Sequence, residues 1–274
     1  MKIRFKEAKS IVTKSNIPGI DYVINPYIGC QHGCIYCYAE FMKRFTDHKG
    51  ENWGDFLDIK NYSIEKIQPE KYDGKTILLS SVTDPYIPLE LKYKKTRMIL
   101  EHLIGTKAKI SILTKSKFAK RDIDIFKKFD NLEFGISISN LNEKFTRIIE
   151  PLASKPIERL NLIKELHNNG IKTYIFISPF FPHITDFQSI IEHSVEYTDY
   201  FMFENLNFRP HNISRIFNTI EKYYPNLIKT YRDFQNNNLN WDPIKANIID
   251  YCKNKGIQYS IEFHHGGFSK KNKN

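Results

Sequence analysis

The sequence predicts an α/β fold, a partial (β/α)6 barrel of the TIM type carrying a helical C-terminal extension. Short apolar runs alternate with helical patterning six times between residues 21 and 207, as in a parallel sheet whose crossovers are helices. Six units fall short of the eight that close a full barrel, so the sheet is expected to stay open. After residue 207 the alternation gives way to successive helices. The expected organisation is a barrel over residues 1–207, an extension of helices with a final strand over 208–268, and a disordered polar tail over 269–274.

The elements follow in order. Ile3 to Thr13 is a basic lead-in and Ile17-Pro18-Gly19 a turn. The first strand runs from Asp21 to Asn25, rich in β-formers and stopped by Pro26. A cysteine loop comes next, then a helix from Tyr38 to Phe45 and an irregular connection from Glu51 to Asn61. Ile77 to Ser81 is the second strand, and Leu89 to Ile104 one amphipathic helix ended by Gly105. Lys109 to Thr114 and Leu132 to Ser139 are strands flanking a helix from Lys120 to Phe129. A loop through Pro151 and Pro156 leads to a helix from Ile157 to His167. Lys172 to Ser178 is a strand stopped by Pro179, followed by a helix from Phe187 to Glu196 and the sixth strand, Tyr200 to Glu204. Helices begin at Asn212, Asn226 and Pro243, and Ile257 to Phe263 is a last strand.

With 274 residues and 41% hydrophobic content the chain can bury a sizeable core. No run of about 18 apolar residues occurs, so no membrane span is expected. Met1 to Lys14 lacks the apolar centre of a signal peptide, and a cytoplasmic location is expected. The net charge of +10 would attract polyanions, which makes nucleic acid a possible partner; the alternative is a lysine-rich solvated surface, since no dense arginine cluster appears. Nothing in the composition indicates an oligomeric state.

Three of the four cysteines stand in one short loop, Cys30, Cys34 and Cys37, which is no disulfide framework. A structural zinc site needs four ligands, usually as two pairs, and three thiolates leave one position open. His32 lies inside the loop, but its reach between two ligating neighbours is poor. An iron-sulfur cube held by three cysteines keeps one iron free for another ligand, and the spacing at the end of a first barrel strand fits that object best.

Cys30, Cys34 and Cys37, with Tyr36 before the last, resemble the cluster motif of the radical S-adenosylmethionine (SAM) enzymes, whose open (β/α)6 barrel matches the order of elements above. The resemblance implies a 4Fe-4S cluster and S-adenosylmethionine as cofactors, with the free iron chelating the amino group and carboxylate of the latter. It also implies an electron donor such as flavodoxin or ferredoxin, and a 5'-deoxyadenosyl radical that abstracts hydrogen from a substrate. A closer resemblance is to the spore photoproduct lyase-like branch. It rests on Asn25-Pro26-Tyr27-Ile28-Gly29, Thr83-Asp84-Pro85-Tyr86, Thr114-Lys115-Ser116 with Arg121-Asp122, and Ile149-Glu150-Pro151 with Arg159-Leu160. These markers span roughly Asn25 to Phe181 in family order; the final third carries none.

Position suggests roles for several of these residues. Tyr36 belongs beside the cofactor. Ser81 and Thr83, where the second strand ends, are placed to meet its amino acid part, against the alternative of a turn set by Asp84-Pro85. Lys115 ends the third strand and can pair with the cofactor carboxylate. Ser137 and Ser139 share one face of the fourth strand and can reach ribose or simply pack. Glu150 and Arg159 form a candidate pair, the arginine suited to gripping a carboxylate. Ser178 and Glu204 end later strands near adenine or substrate. Ser81 also marks a departure, because spore photoproduct lyases carry a hydrogen-returning cysteine there and a serine O–H bond is too strong for that role. Cys252 is expected to be a buried structural thiol. Glu262, His264 and His265 are candidates for metal binding or acid-base chemistry, or a plug for the barrel.

Overall fold

The computed structural model describes residues 1–263, so the final polar tail, His264 and His265 lie outside the described residues. The chain opens with β1 (Lys2–Glu7) and β2 (Val12–Lys14), then passes through β3 (Tyr22–Ile24) and β4 (Tyr27–Ile28) into the cysteine loop. A 3-10 helix at Tyr38–Phe45 leads to β5 (Phe56–Asn61). The alternating series is β6 (Thr76–Leu79), α1 (Glu90–Tyr93), α2 (Lys95–Leu103), β7 (Lys109–Thr114), α3 (Ile123–Phe126) and β8 (Leu132–Ser137). It continues through α4 (Glu143–Ile149), α5 (Pro156–Asn168), β9 (Lys172–Phe180), α6 (Phe187–Glu192) and β10 (Tyr200–Asn205). The C-terminal third supplies α7 (Ile213–Tyr223), α8 (Ile228–Gln235), α9 (Asp242–Asn254) and β11 (Tyr259–Ile261).

The main sheet has the order β11-β10-β9-β8-β7-β6-β3-β2. From β3 to β11 every neighbouring pair is parallel, and β2 closes one edge antiparallel to β3. The six expected barrel strands stand side by side in chain order, and the two edges of the sheet do not pair with each other. This is the open partial barrel that the alternation predicts. The strands read as continuous apolar runs because helices cover them: β8 is buried at every position, and Ile110, Ile112, Phe134, Ile136, Ile175, Ile177, Phe201 and Phe203 are all fully buried. On the helix side, α5 lays Leu162, Ile163 and Leu166 into the same core. The expected last strand also joins this sheet, with Phe201 of β10 opposite Tyr259 of β11. No helix among the described residues is long and apolar enough to cross a membrane.

Several elements differ from the expectation. The lead-in and the irregular connection pair with each other, β1 lying parallel to β5 from Lys2–Phe56 to Glu7–Asn61, and β4 completes a second, three-stranded sheet. Asp58 breaks the apolar run of β5 and disguised it. The aspartate is nevertheless buried, because Nε2 of His48 approaches its Oδ1 at 2.9 Å. The helix expected from Leu89 to Ile104 is two helices, broken at Lys94 with φ of 50°. Glu90, fully buried, caps the second by accepting from the backbone N–H groups of Thr96 (3.1 Å) and Arg97 (3.3 Å). The loop before Pro151 contains α4, whose start is capped by Asn142 accepting from Phe145 N. Pro179 does not stop β9, which runs to Phe180 through a cis Ser178–Pro179 bond.

Candidate active site

The cysteine loop is built on the small sheet. Gly29, at the end of β4, has φ of +94°, and a Cβ there would stand 2.6 Å from the carbonyl oxygen of Phe56, so only glycine fits. A Cβ on Gly54 would likewise come within 2.9 Å of the Cα of Gly33, inside the loop. Backbone therefore touches backbone beneath the three cysteines. From the side of β6, Thr83 donates its hydroxyl to the carbonyl of Gly29 (2.6 Å), and Oε1 of Gln31 accepts from Leu89 N (2.7 Å). From the side of α4, Ile35 N donates to Ile149 O (3.0 Å) and Leu152 N to His32 O (3.2 Å).

Cys30 and Cys34 are buried, Cys37 is half-buried, and all three are free thiols. Burial, reinforced by Asp84, pushes the Cys30 thiol up to about 12. Burial and the neighbouring Cys34 push Cys37 to about 12, although Lys115 and Trp53 pull the other way. Cys34 is raised further by burial and Glu150, against Lys115 and Arg159. Such thiols become thiolates only when a strong Lewis acid binds them. Among the described residues, no three histidine, cysteine or acidic side chains are grouped so as to hold a single metal ion. A cube offers each sulfur its own iron, and three free thiols in one loop fit it. His32 is engaged elsewhere: its Nδ1 faces Leu152 O at 3.2 Å and its Nε2 lies 3.1 Å from Oδ2 of Asp84.

A buried charge network flanks the loop. Tyr36 donates its hydroxyl to Oε1 of Glu150, and Arg159 pairs with Oε2 of the same carboxylate. Arg159 is 1% exposed, and its other donors go to the carbonyls of Ser137 and Ser154, both at 2.8 Å. Burial would raise the carboxyl of Glu150, but Arg159, Lys115 and the Tyr36 hydroxyl hold it below its usual range. The Lys115 ammonium stands 5.8 Å from the centre of the Tyr36 ring. Burial would lower its pKa, but Glu150 and Cys34 outweigh that and keep the lysine charged. Asp84 joins the ends of β6 and β7 by accepting from Thr114 Oγ1 (2.6 Å), Tyr86 N and Lys115 N (both 2.8 Å). Burial would raise it, yet His32, Thr114 and Lys115 N bring it down to about 2.

The remaining predicted residues fall at strand ends around this network. Asn25 accepts through Oδ1 from Ser81 N (3.0 Å) and Val82 N (3.3 Å), and the Ser81 carbonyl accepts from the Tyr38 hydroxyl. Ser137 donates to Ser178 O (3.1 Å), and Ser178 donates to Oε2 of Glu204 (2.7 Å). The hydroxyls of Ser80 and Ser139 are buried without a partner among the described residues. Cys252 is fully buried on α9, as expected of a structural thiol.

Trp53 escaped the sequence reading. Its indole shares the buried apolar cluster of Cys30, against which Cys37 also packs. The buried Nε1–H meets no hydrogen-bond partner among the described residues, but it lies near enough to Cys37 to draw that thiol down. Its place beside Gly54 is the only sequence signal, because contact with the loop depends on β5.

Residues 24–193 match the family model described as the radical SAM superfamily. An uncharacterised protein of Methanocaldococcus jannaschii is 40% identical over 220 residues, covering 80% of this chain and 82% of that protein. A protein of Pseudomonas phage M6 named radical SAM Nalpha-GlyT isomerase is 24% identical, over 60% of this chain and 34% of its own length. Among solved structures, spore photoproduct lyase complexed with dinucleoside spore photoproduct superposes with a TM-score of 0.61 at 19% identity, covering 81% of this chain and 66% of the lyase. The last is a likeness of fold, and the chain spans just under two thirds of that structure. With the cysteine loop at the head of an open parallel barrel, and the family model matching over most of that barrel, the chain belongs to the radical SAM superfamily of enzymes.

Proposed function

We propose that this protein cleaves S-adenosylmethionine reductively and directs the resulting radical at a nucleic acid. The observation that carries the first part is the set of three free thiols in one loop, raised by burial and flanked by the Lys115 ammonium. A 4Fe-4S cluster on Cys30, Cys34 and Cys37, with S-adenosylmethionine on its open iron and an electron from a flavodoxin or ferredoxin, would supply a 5'-deoxyadenosyl radical.

The chain's own part is to bind, orient and shield. Lys115 offers a fixed positive charge for the cofactor carboxylate, and the Tyr36 ring packs near that lysine and edge-to-face with Phe181, whose ring centre is 5.9 Å away. Arg159 holds Glu150, and Glu150 holds Tyr36 and keeps Lys115 protonated, so the arginine is a positioning residue. Thr83 fixes the cysteine loop through Gly29, leaving the unpartnered hydroxyls of Ser80 and Ser139 to meet polar groups of the cofactor. Nucleic acid is favoured as the substrate class by the net charge of +10 and by the dinucleoside bound in the spore photoproduct lyase structure. Ser81 takes the place where a hydrogen-returning thiol is expected, and Cys252 is buried in a helix. The proposed reaction therefore proceeds without hydrogen return from a protein thiol.

Anaerobic reconstitution tests the reading. The loaded protein should form 5'-deoxyadenosine on reduction, and alanine at Cys30, Cys34 or Cys37 should abolish it; full iron loading with no cleavage would refute the enzyme. For the substrate class, affinity for single- and double-stranded DNA and for RNA should fall steeply with salt. Weak, salt-insensitive binding to all three would refute the nucleic-acid proposal and leave a peptide or small metabolite. Transfer of deuterium from a labelled nucleic acid into 5'-deoxyadenosine would identify the attacked position.

A further inference from the structure

Three consecutive carbonyls in the cysteine loop, those of Ile35, Tyr36 and Cys37, face donors that come from one distant segment. Arg215 Nε donates to Ile35 O at 3.2 Å, Asn212 Nδ2 to Tyr36 O at 2.8 Å, and His211 Nε2 lies 3.3 Å from Cys37 O. Arg215 also pairs with Glu40, just beyond the loop. Asn212 is fully buried, and its amide is fixed: Oδ1 accepts from Arg209 N at 2.9 Å, while Nδ2 is shared with Asn207 O at 3.3 Å. Two fully buried isoleucines, Ile216 and Ile220, seat α7 on the barrel behind these donors. The donors, and α7 behind them, lie beyond residue 193, where the family match ends.

We propose that residues 211–215 are a latch on the cysteine loop, set by the start of α7, that controls how readily the three thiols exchange with their surroundings. The physical reason is that these carbonyls are partly withdrawn from water, the middle one facing the fully buried Asn212, and a carbonyl so placed loses stability when its donor is removed. The loop keeps the shape that turns these three carbonyls to α7 only while α7 is docked. Undocking would free the stretch between Cys34 and Cys37, an opening local to this part of the fold. The latch itself does not depend on the metal. Its consequence, that α7 governs cluster uptake and loss, rests on the function proposed above.

Alkylation of the metal-free protein, followed cysteine by cysteine by mass spectrometry, tests the latch directly. Asn212→Asp keeps the acceptor for Arg209 N and removes both donations. It should speed alkylation of Cys34 and Cys37 about tenfold while Cys252 stays slow. Unchanged rates at Cys34 and Cys37 would overturn the proposal. If Cys252 quickens too, the substitution has loosened the whole fold, and Arg215→Lys decides instead. That variant retains the charge facing Glu40 but loses the Nε donor, and the same two outcomes apply. In reconstituted protein, the latch variant should also lose iron to a chelator faster than wild type. Failure of the wild type to take up iron would count against the cluster, whereas the alkylation rates judge the latch alone.

Discussion

The hydroxyl of Tyr36 donates to Oε1 of Glu150, tying the residue before the last loop cysteine to the end of α4. The other oxygen of the carboxylate holds Arg159, itself almost wholly buried. Glu150 is thus shared between the loop and a buried cation, and its two roles can be separated. Glu150→Gln keeps an acceptor for Tyr36 but leaves the guanidinium without its counter-charge, which costs on the order of 3–5 kcal/mol. Tyr36→Phe removes one hydrogen bond and should cost about 1 kcal/mol. Urea unfolding of the metal-free proteins measures both; equal losses in the two variants would contradict the shared role.

Asp84 predicts a pH dependence. Its folded pKa is about 2, below the roughly 3.9 of an unfolded aspartate, so the charged form is favoured by folding. The resulting stability is complete above about pH 5 and is lost as pH falls through roughly 4 towards 2, a contribution of about 2–3 kcal/mol. Asp84→Asn should therefore unfold at lower urea than wild type at pH 7, and the gap should narrow by pH 3. A gap that stays constant would mean that the carboxylate is not the stabilising species.

The barrel was legible because its strands are short apolar runs buried on both faces, as in Ile110 to Ile112 and Phe134 to Ile136. The cysteine loop was legible because all three thiols lie within one turn of chain. Contacts made by polar side chains across long separations were not. Asp58 hid β5 because its partner His48 cannot be read from spacing, and Glu90 hid the break at Lys94 because it caps a helix several residues ahead. The sequence marks Arg159 by its spacing from Glu150, but its grip on the carbonyls of Ser137 and Ser154 depends on how β8 and α5 meet. Asn212 carries no local signal, since its partner Tyr36 lies far upstream.

Lys115 should matter for cofactor binding more than for the loop. Its ammonium is kept charged by Glu150 and Cys34 against burial, and the Tyr36 ring lies beneath it. Lys115→Met should weaken S-adenosylmethionine binding about tenfold, equivalent to about 1.4 kcal/mol, with iron content unchanged. Lys115→Arg should recover part of the loss. Equilibrium dialysis of the reconstituted protein reads the affinity; a fall in iron content at unchanged affinity would place the lysine in loop structure instead.

Trp53 gives the last test. Its Nε1–H is buried near Cys37 and draws that thiol's pKa down, against the larger rise that burial gives it, so it favours negative charge on the sulfur. Reduction adds negative charge to a cluster, and an N–H dipole near a sulfur that holds it favours the reduced form. Trp53→Phe retains an aromatic ring in the apolar cluster with Phe56 and removes the donor. The midpoint potential should become more negative by roughly 20–60 mV, where about 59 mV corresponds to a tenfold change in a one-electron equilibrium. Iron content should be unaffected. Formation of 5'-deoxyadenosine should slow with a weak electron donor and recover with a strong chemical reductant, because only the driving force of electron transfer has changed. A potential equal to that of the wild type would show that the indole fills space beside Cys37 and does nothing to its charge.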